Sequence, residues 1–469
     1  MDTSDFLKWS EHVARWARDY HERLPAMPVR SQARPGELLN ALPTAPPEHA
    51  EAWEDIFSDF DLLIPQGLTH WQHPRFFAYF AANASFPSMI AEQLATSLAC
   101  NCMLWQTSPA ATELEQRMTD WLRQAVGLPS RFTGLIQDSA TTATLCAVLT
   151  MRERALSWKG NESGLHNAPQ LRLYASPENH SSVDKAARLA GIGQENLVKP
   201  GTRKDRSLDP ESLHACIRQD LDRGFLPVGV VGCIGGTATG ACDRLSEILE
   251  IAREFNLYSH VDAAWAGSAM ICKEFRTIWK GIEHADSVVF NPHKWLGVQF
   301  DCSIQFCADP QQQAATVGLR PDYLKTAGLE EITNLNEFTI PLGRRFRALK
   351  LWFAMRAHGL AGLRSLIRDH VDWIGELERL FAADPLFDVA FRSELALFGF
   401  RLADSFEHAE RLTVELAARI NDDGHVYLTP TVVDGRTAIR VTAGTFATTR
   451  PDVLSVHEIA GRIARELVS

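Results

Sequence analysis

The sequence predicts an α/β fold in which a mostly parallel sheet forms a large domain and a small α+β domain follows it. Through the middle of the 469-residue chain, short apolar runs alternate with helical patterns. Strands that alternate with helices of this length indicate βαβ units and therefore parallel strands. Near the C-terminus the order changes to strand, helix, strand, strand and helix, which is typical of a separate small domain.

Residues 1–82 are predicted to be an N-terminal helical segment with proline-rich joints. The stretch 33–50 contains four prolines. Because proline cannot continue a helix, this stretch is predicted to be an extended connector.

Residues 83–345 carry the predicted sheet and its helices. Asp209 and Pro210 are typical of a helix start, and Leu213, Ile217 and Leu221 then recur every four residues. A second amphipathic helix is predicted behind Asp243. The predicted strands are Leu171–Ala175, Val228–Gly235, Leu257–Asp262, Ser287–Asn291 and Cys302–Cys307.

Residues 311–337 are polar with weak periodicity, which is typical of a functional or mobile segment. A long helical pattern follows Pro341 and leads into the small domain, predicted at 346–469. The elements predicted there are the strand Leu395–Ala403, the helix Phe406–Asn421, the strands Val426–Pro430 and Ala438–Ala443, and the helix Arg450–Val468.

The composition excludes several classes of protein. Apolar residues make up 45% of the chain and charged residues 22%, which are ordinary globular values, and the net charge is −11. The chain has no basic run for nucleic acid and no apolar run long enough to span a membrane. The N-terminal residues do not resemble a signal peptide, and the nine cysteines are scattered. We therefore expect reduced thiols and a cytoplasmic location.

Two residues of chemical interest stand at the ends of predicted strands. Lys294, in the sequence NPHKW, follows the apolar run 285–290, and Asp262 ends the run before VDAA. A desolvated lysine is nucleophilic enough to form an imine. A carboxylate beside small residues suits a protonated pyridine nitrogen, and pyridoxal phosphate enzymes use this pair. Taken singly, a loop lysine and a turn aspartate remain alternatives.

Three weaker signals also follow predicted strands. The hydroxyl residues from Ser139 to Thr142 begin a helical pattern, as a phosphate site requires. His180 follows the run LRLYA and could stack on a flat cofactor, and Thr237 lies among glycines that allow a ligand to approach the backbone. Each signal alone is equally typical of a helix cap or a loop. Together they favour one site, because the carboxyl edge of a parallel sheet is where ligands bind.

In seven blocks, the chain resembles the pyridoxal phosphate-dependent group II amino-acid decarboxylases, specifically the aromatic-L-amino-acid decarboxylases. The resemblance implies a fold type I, aminotransferase-like large domain, a small C-terminal domain, and an N-terminal helical segment that wraps on the partner of a homodimer. The matching blocks are 70–80, 105–115, 180–186, 260–276, 291–303, 320–325 and 340–353.

The resemblance also implies a role for individual residues. Lys294 matches the Schiff-base lysine, Asp262 the pyridinium partner, His180 the stacking histidine, and Tyr323 the lid tyrosine that returns a proton to the substrate carbon. The other implied cofactor contacts are Ser139, Ala140, Thr141, Asn291 and His293 on the phosphate side, Thr237 and Ala264 at the ring, and Gly343, which reaches the neighbouring subunit's site.

The implied activity is decarboxylation of an aromatic L-amino acid to its amine, with pyridoxal phosphate as cofactor. Relatives with phenylalanine at the position of Tyr323 tend to be aldehyde synthases, so tyrosine together with His180 favours simple decarboxylation. An aromatic aldehyde synthase, a transaminase and a catalytically inactive binding protein with the same fold remain alternatives.

Six residues align with the family's side-chain pocket, and none of them is a cation that would suit an acidic substrate. Ala82 stands where the family has threonine or serine, Met103 replaces an aromatic residue, and Asn101 replaces an apolar one. The changes at 82 and 103 count against a catechol and could admit an indole. Trp265 and Asp138 are further departures, at positions where tyrosine and glycine occur. The six pocket residues are Trp71, Tyr79, Phe80, Ala82, Asn101 and Met103.

No metal site is predicted. Cys100 and Cys102 form a C-x-C pair and His70 and His73 an H-x-x-H pair, neither of which is a usual zinc arrangement. Buried thiols and a structural histidine pair are the favoured interpretation. The basic run GRRFR at 343–347 is more typical of a solvated helix face or an interface than of a phosphate site.

Overall fold

The computed structural model describes residues 2–319 and 332–469. The chain divides into two compact units. The first contains Met1–Ala81, Trp373–Ala390 and Gly399–Ser469, and the second contains Ala82–Asp372 and Phe391–Phe398. The boundaries predicted from the sequence, 1–82, 83–345 and 346–469, stay predictions.

The described residues contain fifteen α-helices. They are α1 (Thr3–Arg23), α2 (Glu37–Ala41), α3 (Trp53–Leu63), α4 (Phe86–Leu98), α5 (Pro109–Val126), α6 (Ala140–Ala155), α7 (Lys159–Ser163), α8 (Ser182–Leu189), α9 (Pro210–Asp222), α10 (Leu245–Glu254), α11 (Pro292–Trp295), α12 (Pro310–Val317), α13 (Arg347–Ala383), α14 (Ala409–Asp423) and α15 (Arg450–Val468). Within this part of the chain, no helix has both the length and the apolar character needed to cross a membrane.

The described strands form two sheets. The larger sheet has the order β1-β7-β6-β5-β4-β2-β3, and the smaller has the order β10-β11-β9-β8. The strands are β1 (Thr133–Gln137), β2 (Leu171–Ala175), β3 (Leu197–Val198), β4 (Leu226–Cys233), β5 (Tyr258–Asp262), β6 (Ser287–Phe290), β7 (Ser303–Cys307), β8 (Phe387–Arg392), β9 (Leu397–Leu402), β10 (Thr429–Val433) and β11 (Arg436–Thr442).

The larger sheet confirms the predicted α/β class. Neighbouring strands from β3 through β2, β4 and β5 to β6 are parallel, and β7 runs antiparallel between β6 and β1. Strand β1 therefore points the same way as β2, β4, β5 and β6. The carboxyl ends of these five strands lie at one edge.

Helix α9 shows how local sequence sets an element. The Asp209 side chain accepts a hydrogen bond from Glu211 N–H at 3.2 Å, and Pro210 occupies the first helical position. Leu213 and Ile217 are buried as predicted, whereas Leu221 is 45% exposed. A spacing of four residues advances about 400° around a helix with 3.6 residues per turn, so the third member of the series turns away from the core.

The sequence placed several element boundaries wrongly. It placed β10 at Val426–Pro430, three residues too early, began α14 at Phe406 instead of Ala409, and did not predict β8. The predicted extended connector contains the short helix α2, which follows Gly36 in a left-handed conformation. These elements are short or half-exposed, so their apolar pattern is weak.

Helix α6 packs closely on the larger sheet and points its first turn at the carboxyl edge. Ala147, Val148 and Met151 of α6 belong to a buried cluster with Leu173 and Tyr258 of the sheet. Gly229 of β4 makes this approach possible, because a Cβ atom there would lie 2.5 Å from the Met151 sulfur. The close packing fixes the start of α6 beside the ends of β4 and β5.

Candidate active site

The residues singled out by the sequence collect at the carboxyl edge of the larger sheet. Ser139 follows β1, His180 follows β2, Thr237 follows β4, Asp262 ends β5 and Asn291 follows β6. Each lies within five residues of its strand's last residue. The parallel direction of these strands is what brings together positions that are far apart in the sequence.

Lys294 is held at the end of β6 by its own backbone. Its N–H donates to Asn291 O at 3.0 Å, and its carbonyl accepts from Asn83 Nδ2 at 2.9 Å. Asn83 is 1% exposed, whereas the Lys294 side chain is half-buried. The main chain of Lys294 is therefore anchored on both sides.

Trp295 packs directly behind Lys294. Its ring stacks on Trp265 with a centroid distance of 4.9 Å, and its Nε1 donates to His370 Nδ1 at 3.0 Å. Trp265, one of the departures noted in the sequence, thus contributes a second indole to a fully buried stack. The stack fixes α11 and the turn that carries Lys294.

Asp262 is the last residue of β5 and is 5% exposed. Its Oδ1 accepts a hydrogen bond from Ala264 N–H at 3.0 Å. The Ala264 carbonyl accepts from Asn291 N–H at 2.9 Å, so the loops after β5 and β6 are joined beside the carboxylate. Ala264, predicted as a ring contact, is half-buried and presents only a methyl group.

His180 is electrostatically linked to both Lys294 and Asp262. Surrounding protein lowers the pKa of His180 although part of the residue reaches solvent, the Lys294 charge lowers it further, and the Asp262 charge opposes both. Ser182 N–H donates to His180 Nδ1 at 3.1 Å. The neutral ring therefore carries its proton on Nε2 and can donate it to a bound molecule.

The loops after β2 and β4 fix the surroundings of His180. A Cβ atom at Gly236 would lie 2.9 Å from the Cβ of Glu178, so only glycine allows the two loops to touch. Thr239 Oγ1 then donates to Glu178 Oε2 at 2.7 Å. Thr237 lies exposed on this loop, and its role as a ring contact stays a prediction.

The predicted anion site lies at the start of α6. Ser139 Oγ accepts from Thr142 N–H at 3.1 Å, and the first main-chain bond of the helix runs from Ala143 N–H to Ser139 O. The amides of Ala140 and Thr141 precede that bond and lie at the positive end of the helix dipole. All four residues from Ser139 to Thr142 are half-buried.

Asn291 and His293, the other two residues predicted on the phosphate side, directly follow β6. Asn291 is 3% exposed, and its Oδ1 has no hydrogen-bond partner among the described residues. Cys302 N–H donates to His293 Nδ1 at 3.0 Å, and burial lowers the pKa of His293 to about 3. An unsatisfied buried amide oxygen two residues from His293 is a group that a bound molecule would satisfy.

Gly343, Asn101 and Met103 form a second cluster in the same unit. Arg344 N–H donates to Asn101 Oδ1 at 3.1 Å, and a Cβ atom at Gly343 would lie 3.7 Å from Asn101 Nδ2. Asn101 Nδ2 contacts the Met103 sulfur at 3.7 Å. The structure therefore joins the residue predicted to reach a neighbouring subunit to two residues of the predicted substrate pocket.

Three of the predicted pocket residues belong to the first unit. The rings of Trp71 and Tyr79 stack at 5.7 Å. The guanidinium of Arg440 lies 4.3 Å from the centre of the Phe80 ring and donates from Nη1 to Tyr79 O. Ala82, in the second unit, adjoins Asn83, the residue bonded to Lys294. Tyr323 lies outside the described residues.

Sequence reasoning missed Arg440 and Asn83. Arg440 is 3% exposed, burial lowers its pKa to about 9, and its Nε and Nη2 lack hydrogen-bond partners among the described residues. An arginine within the apolar run 438–443 was a usable signal, because such a buried charge needs a partner. Asn83 carried no comparable local signal.

The cysteine and histidine pairs have local partners. Cys100 Sγ lies 3.8 Å from Cys102 Sγ, Tyr20 OH lies 2.8 Å from His70 Nδ1, and His73 Nδ1 accepts from Arg75 N–H. In residues 2–319 and 332–469, no cluster of three or more His, Cys, Asp or Glu side chains could hold a metal ion.

Comparison with known proteins identifies the family. The family model described as the pyridoxal-dependent decarboxylase conserved domain matches residues 35–403. The chain belongs to the pyridoxal-dependent decarboxylases. Its cofactor is accordingly pyridoxal phosphate, and the residues at the sheet edge fit that molecule. They offer a helix N-terminus for phosphate, a carboxylate for the ring nitrogen and an amine for the aldehyde.

Individual relatives match this decarboxylase over nearly its whole length. Tryptophan decarboxylase 2 of Oryza sativa subsp. japonica is 34% identical over 95% of this chain and 91% of its own. Phenylacetaldehyde synthase of Petunia hybrida is 36% identical over 97% and 93%. The crystal structure of Oryza sativa TDC with PLP and tryptamine has a TM-score of 0.96 and 31% identity, covering 100% of this chain and 99% of that one. This similarity confirms the predicted fold type.

Proposed function

We propose that this protein decarboxylates an aromatic L-amino acid and releases the corresponding amine and CO2. The observation that carries the proposal is the placement of His180, Asp262 and Lys294 at the carboxyl ends of β2, β5 and β6 of one sheet, close enough for the Asp262 and Lys294 charges to act on His180. The relatives support the class of substrate, because two of them are a tryptophan decarboxylase and a structure with tryptamine.

We assign the cofactor's phosphate to the start of α6, where Ser139, Ala140 and Thr141 lie. The Asp262 carboxylate would hold the ring nitrogen in its protonated form, and the Lys294 amine would hold the aldehyde carbon. Pyridoxal phosphate, when bound, supplies an electron-accepting ring that stabilises the electron pair left as CO2 departs. Asn291, His293, Thr237 and Ala264 would contact the phosphate and the ring.

The chain's own residues supply the remaining functions. His180 is neutral with its proton on Nε2, so it can donate a hydrogen bond to the substrate carboxylate without fixing that carboxylate in an ion pair. A weak hold on the carboxylate suits this reaction, because the charged carboxylate leaves as neutral CO2 and a strong ion pair would stabilise the substrate more than the transition state. Tyr323 is proposed, from the family resemblance, to return a proton to the substrate carbon.

The substrate's ring is assigned to the aromatic residues Trp71, Tyr79 and Phe80. Flat aromatic side chains favour a flat aromatic ligand through offset or edge-on contacts. Ala82 and Met103 lack the hydroxyl and the ring that the family has there, which favours an indole over a catechol. Arg440 introduces a cation beside Phe80 that the sequence did not predict, so an acidic substrate belongs in the test.

The active form is proposed to be a homodimer with shared sites. Four apolar residues of α4, Phe86, Ile90, Leu94 and Leu98, are between 44% and 61% exposed and recur every four residues. The 21-residue helix α1 contributes no buried residue within its own chain. A second copy would cover these surfaces and would bring Gly343 toward its partner's site.

Light scattering coupled to gel filtration tests the dimer. Leu94→Glu is expected to shift the mass toward the monomer and to lower activity. Val432→Glu introduces the same charge at an exposed apolar residue of β10 and is expected to leave the dimer intact. A monomeric, fully active wild-type protein would contradict shared sites.

A cytoplasmic location is also proposed, from the predicted reduced thiols.

One substrate panel tests the proposed reaction. The purified holoenzyme is incubated with Trp, Phe, Tyr, dihydroxyphenylalanine, 5-hydroxytryptophan, Glu and His, and CO2, amine and hydrogen peroxide are measured. Equal amounts of CO2 and aromatic amine without peroxide are expected. Peroxide in proportion to CO2 would instead identify an aldehyde synthase, the activity named for the Petunia hybrida relative. CO2 from Glu alone, or from no substrate, would refute the aromatic assignment.

A further inference from the structure

Strand β5 leads a row of three polar side chains toward the site. Tyr258, His260 and Asp262 alternate with their neighbours and therefore share one face of the strand. Tyr258 belongs to the buried cluster that contains Met151 of α6. The shared face is thus the one that α6 covers. His260 lies beneath α6, two residues before Asp262.

His260 is fully buried but only half satisfied. Its Nδ1 lies 2.8 Å from Ser287 Oγ, the paired residue on β6. Its Nε2 has no hydrogen-bond partner among the described residues. Burial lowers the pKa of His260 to about 4, although the Asp262 charge acts in the opposite direction. When the Ser287 hydroxyl donates to Nδ1, the neutral ring carries its proton on the unsatisfied Nε2.

Thr144 of α6 has a second unsatisfied polar atom. Thr144 is fully buried, and its Oγ1 has no hydrogen-bond partner within the described part of the chain. Met151 lies level with Gly229, which pairs with Tyr258. From Met151 back to Thr144, seven residues of α6 rise about 10 Å toward the carboxyl edge of the sheet. From Tyr258 to Asp262, four residues of β5 rise about 13 Å in the same direction, and His260 lies halfway. Thr144 therefore lies between the levels of His260 and Asp262.

We propose that His260 is a positioning residue for Asp262, joined to its carboxylate by a buried water molecule that Thr144 also binds. A water in a polar interior typically makes about three hydrogen bonds to otherwise unsatisfied groups, and these three side chains supply them. Donation toward the carboxylate favours its ionised form and fixes its direction. The proposal rests on the assigned role of Asp262 in holding the ring nitrogen.

The test measures the ring nitrogen itself. Holoenzyme is prepared with ¹⁵N-labelled pyridoxal phosphate, and the nitrogen chemical shift reports whether the ring is protonated. His260→Phe is expected to move the shift toward the unprotonated value and to raise the cofactor Kd by about tenfold, as expected when a hydrogen bond to a charged group is weakened. His260→Gln retains an N–H donor and is expected to restore most of both. Thr144→Val, which removes one arm of the network, is expected to have a smaller effect in the same direction.

Val261→Ala is the matched control, because it removes buried side-chain volume from the opposite face of the same strand, next to Asp262. It is expected to lower the thermal midpoint while leaving the nitrogen shift and Kd unchanged. If His260→Phe and Thr144→Val behave like this control, His260 is only part of the core and the inference is wrong. If Asp262→Asn also leaves the shift unchanged, the assigned role of Asp262 fails instead, so the two failures are distinguishable.

Discussion

Two buried aspartates near the same edge of the sheet have opposite surroundings. Asp243 accepts hydrogen bonds from Leu208 N–H, Cys233 N–H and Ser176 Oγ, which occupy both carboxylate oxygens. Asp262 accepts from Ala264 N–H at Oδ1 and lies beside the charges of His180 and Lys294. The first carboxylate is completed by the protein and ties three loops together, whereas the second keeps bonding capacity for a ligand. The completeness of the bonding, more than the burial, separates structural from chemical groups.

Two lysines can also be compared, by their position in the fold. Lys350 is 1% exposed, lies 3.1 Å from Glu92 and 2.8 Å from Gln299, and burial lowers its pKa to about 8. Lys294 is half-buried at the sheet edge. A lowered pKa alone would therefore nominate Lys350 as the nucleophile. Lys350 is a buried partner of Glu92 and Gln299, whereas Lys294 lies at the carboxyl edge of the sheet, where its charge acts on His180, so the proposed chemistry stays with Lys294.

Replacing these lysines gives the largest expected effect. Lys294→Ala removes the amine that is proposed to hold the cofactor, and formation of the amine product is expected to fall by about 1,000-fold or more. Lys350→Met is expected to keep activity within about threefold and to lower the unfolding free energy by about 3 kcal/mol, because it breaks a buried pair. Product assays and urea denaturation of both variants check this. Equal loss of activity in the two would break the comparison.

Replacing the aspartates is expected to separate stability from catalysis. Asp262→Asn is expected to reduce activity by about 100-fold with little change in stability, since asparagine fills the same space without the charge. Asp243→Asn is expected to lower the unfolding free energy by about 2–3 kcal/mol, because an amide N–H₂ must then face a backbone N–H donor. Activity assays and denaturation curves measure both changes. Should Asp262→Asn destabilise the fold as strongly as Asp243→Asn, the distinction would be lost.

Buried histidines extend the comparison to acid conditions. Burial lowers the pKa of His73 and His260 to about 4 and of His293 and His370 to about 3. In the unfolded chain these groups bind protons below about pH 6.5, whereas the folded protein does not. The unfolding free energy should therefore decrease as the pH decreases. Each histidine contributes about 1.4 kcal/mol per pH unit between about pH 6.5 and its folded pKa.

Asp243 works in the opposite direction over part of this range. Burial raises its pKa to about 6, so the folded state keeps a proton that the unfolded state releases between pH 6 and about 3.8. Urea midpoints at pH 7, 6 and 5 measure the sum. His73→Phe should reduce the slope by the share of one histidine. An identical slope in this variant would mean that His73 is protonated in the folded state.

Sequence reasoning reached the parts of the site that local patterns encode. Apolar runs ending at Asp262 and before Asn291 located two strand ends, and parallel topology then brought His180 and Lys294 to the same edge. The bond from Asn83 to the Lys294 carbonyl joins residues that are 211 positions apart, and no local period predicts it. The contact of Asn101 with Gly343 and of Arg440 with Phe80 likewise depends on tertiary packing. The sequence therefore predicts which residues meet at a sheet edge better than it predicts what supports them.

The smallest expected effect concerns substrate choice at Ala82. This half-buried residue precedes Asn83, so its side chain is fixed close to the segment that anchors Lys294. Ala82→Thr supplies the hydroxyl that the family has there, and is expected to raise kcat/KM for dihydroxyphenylalanine relative to tryptophan by about three- to tenfold. A single hydroxyl contact at a partly solvated site is worth about that much. Ala82→Val has the same shape without the hydroxyl and should not change the ratio. If valine and threonine shift the ratio equally, the preference is set by the size of residue 82, and the absence of a hydroxyl would no longer argue for an indole substrate.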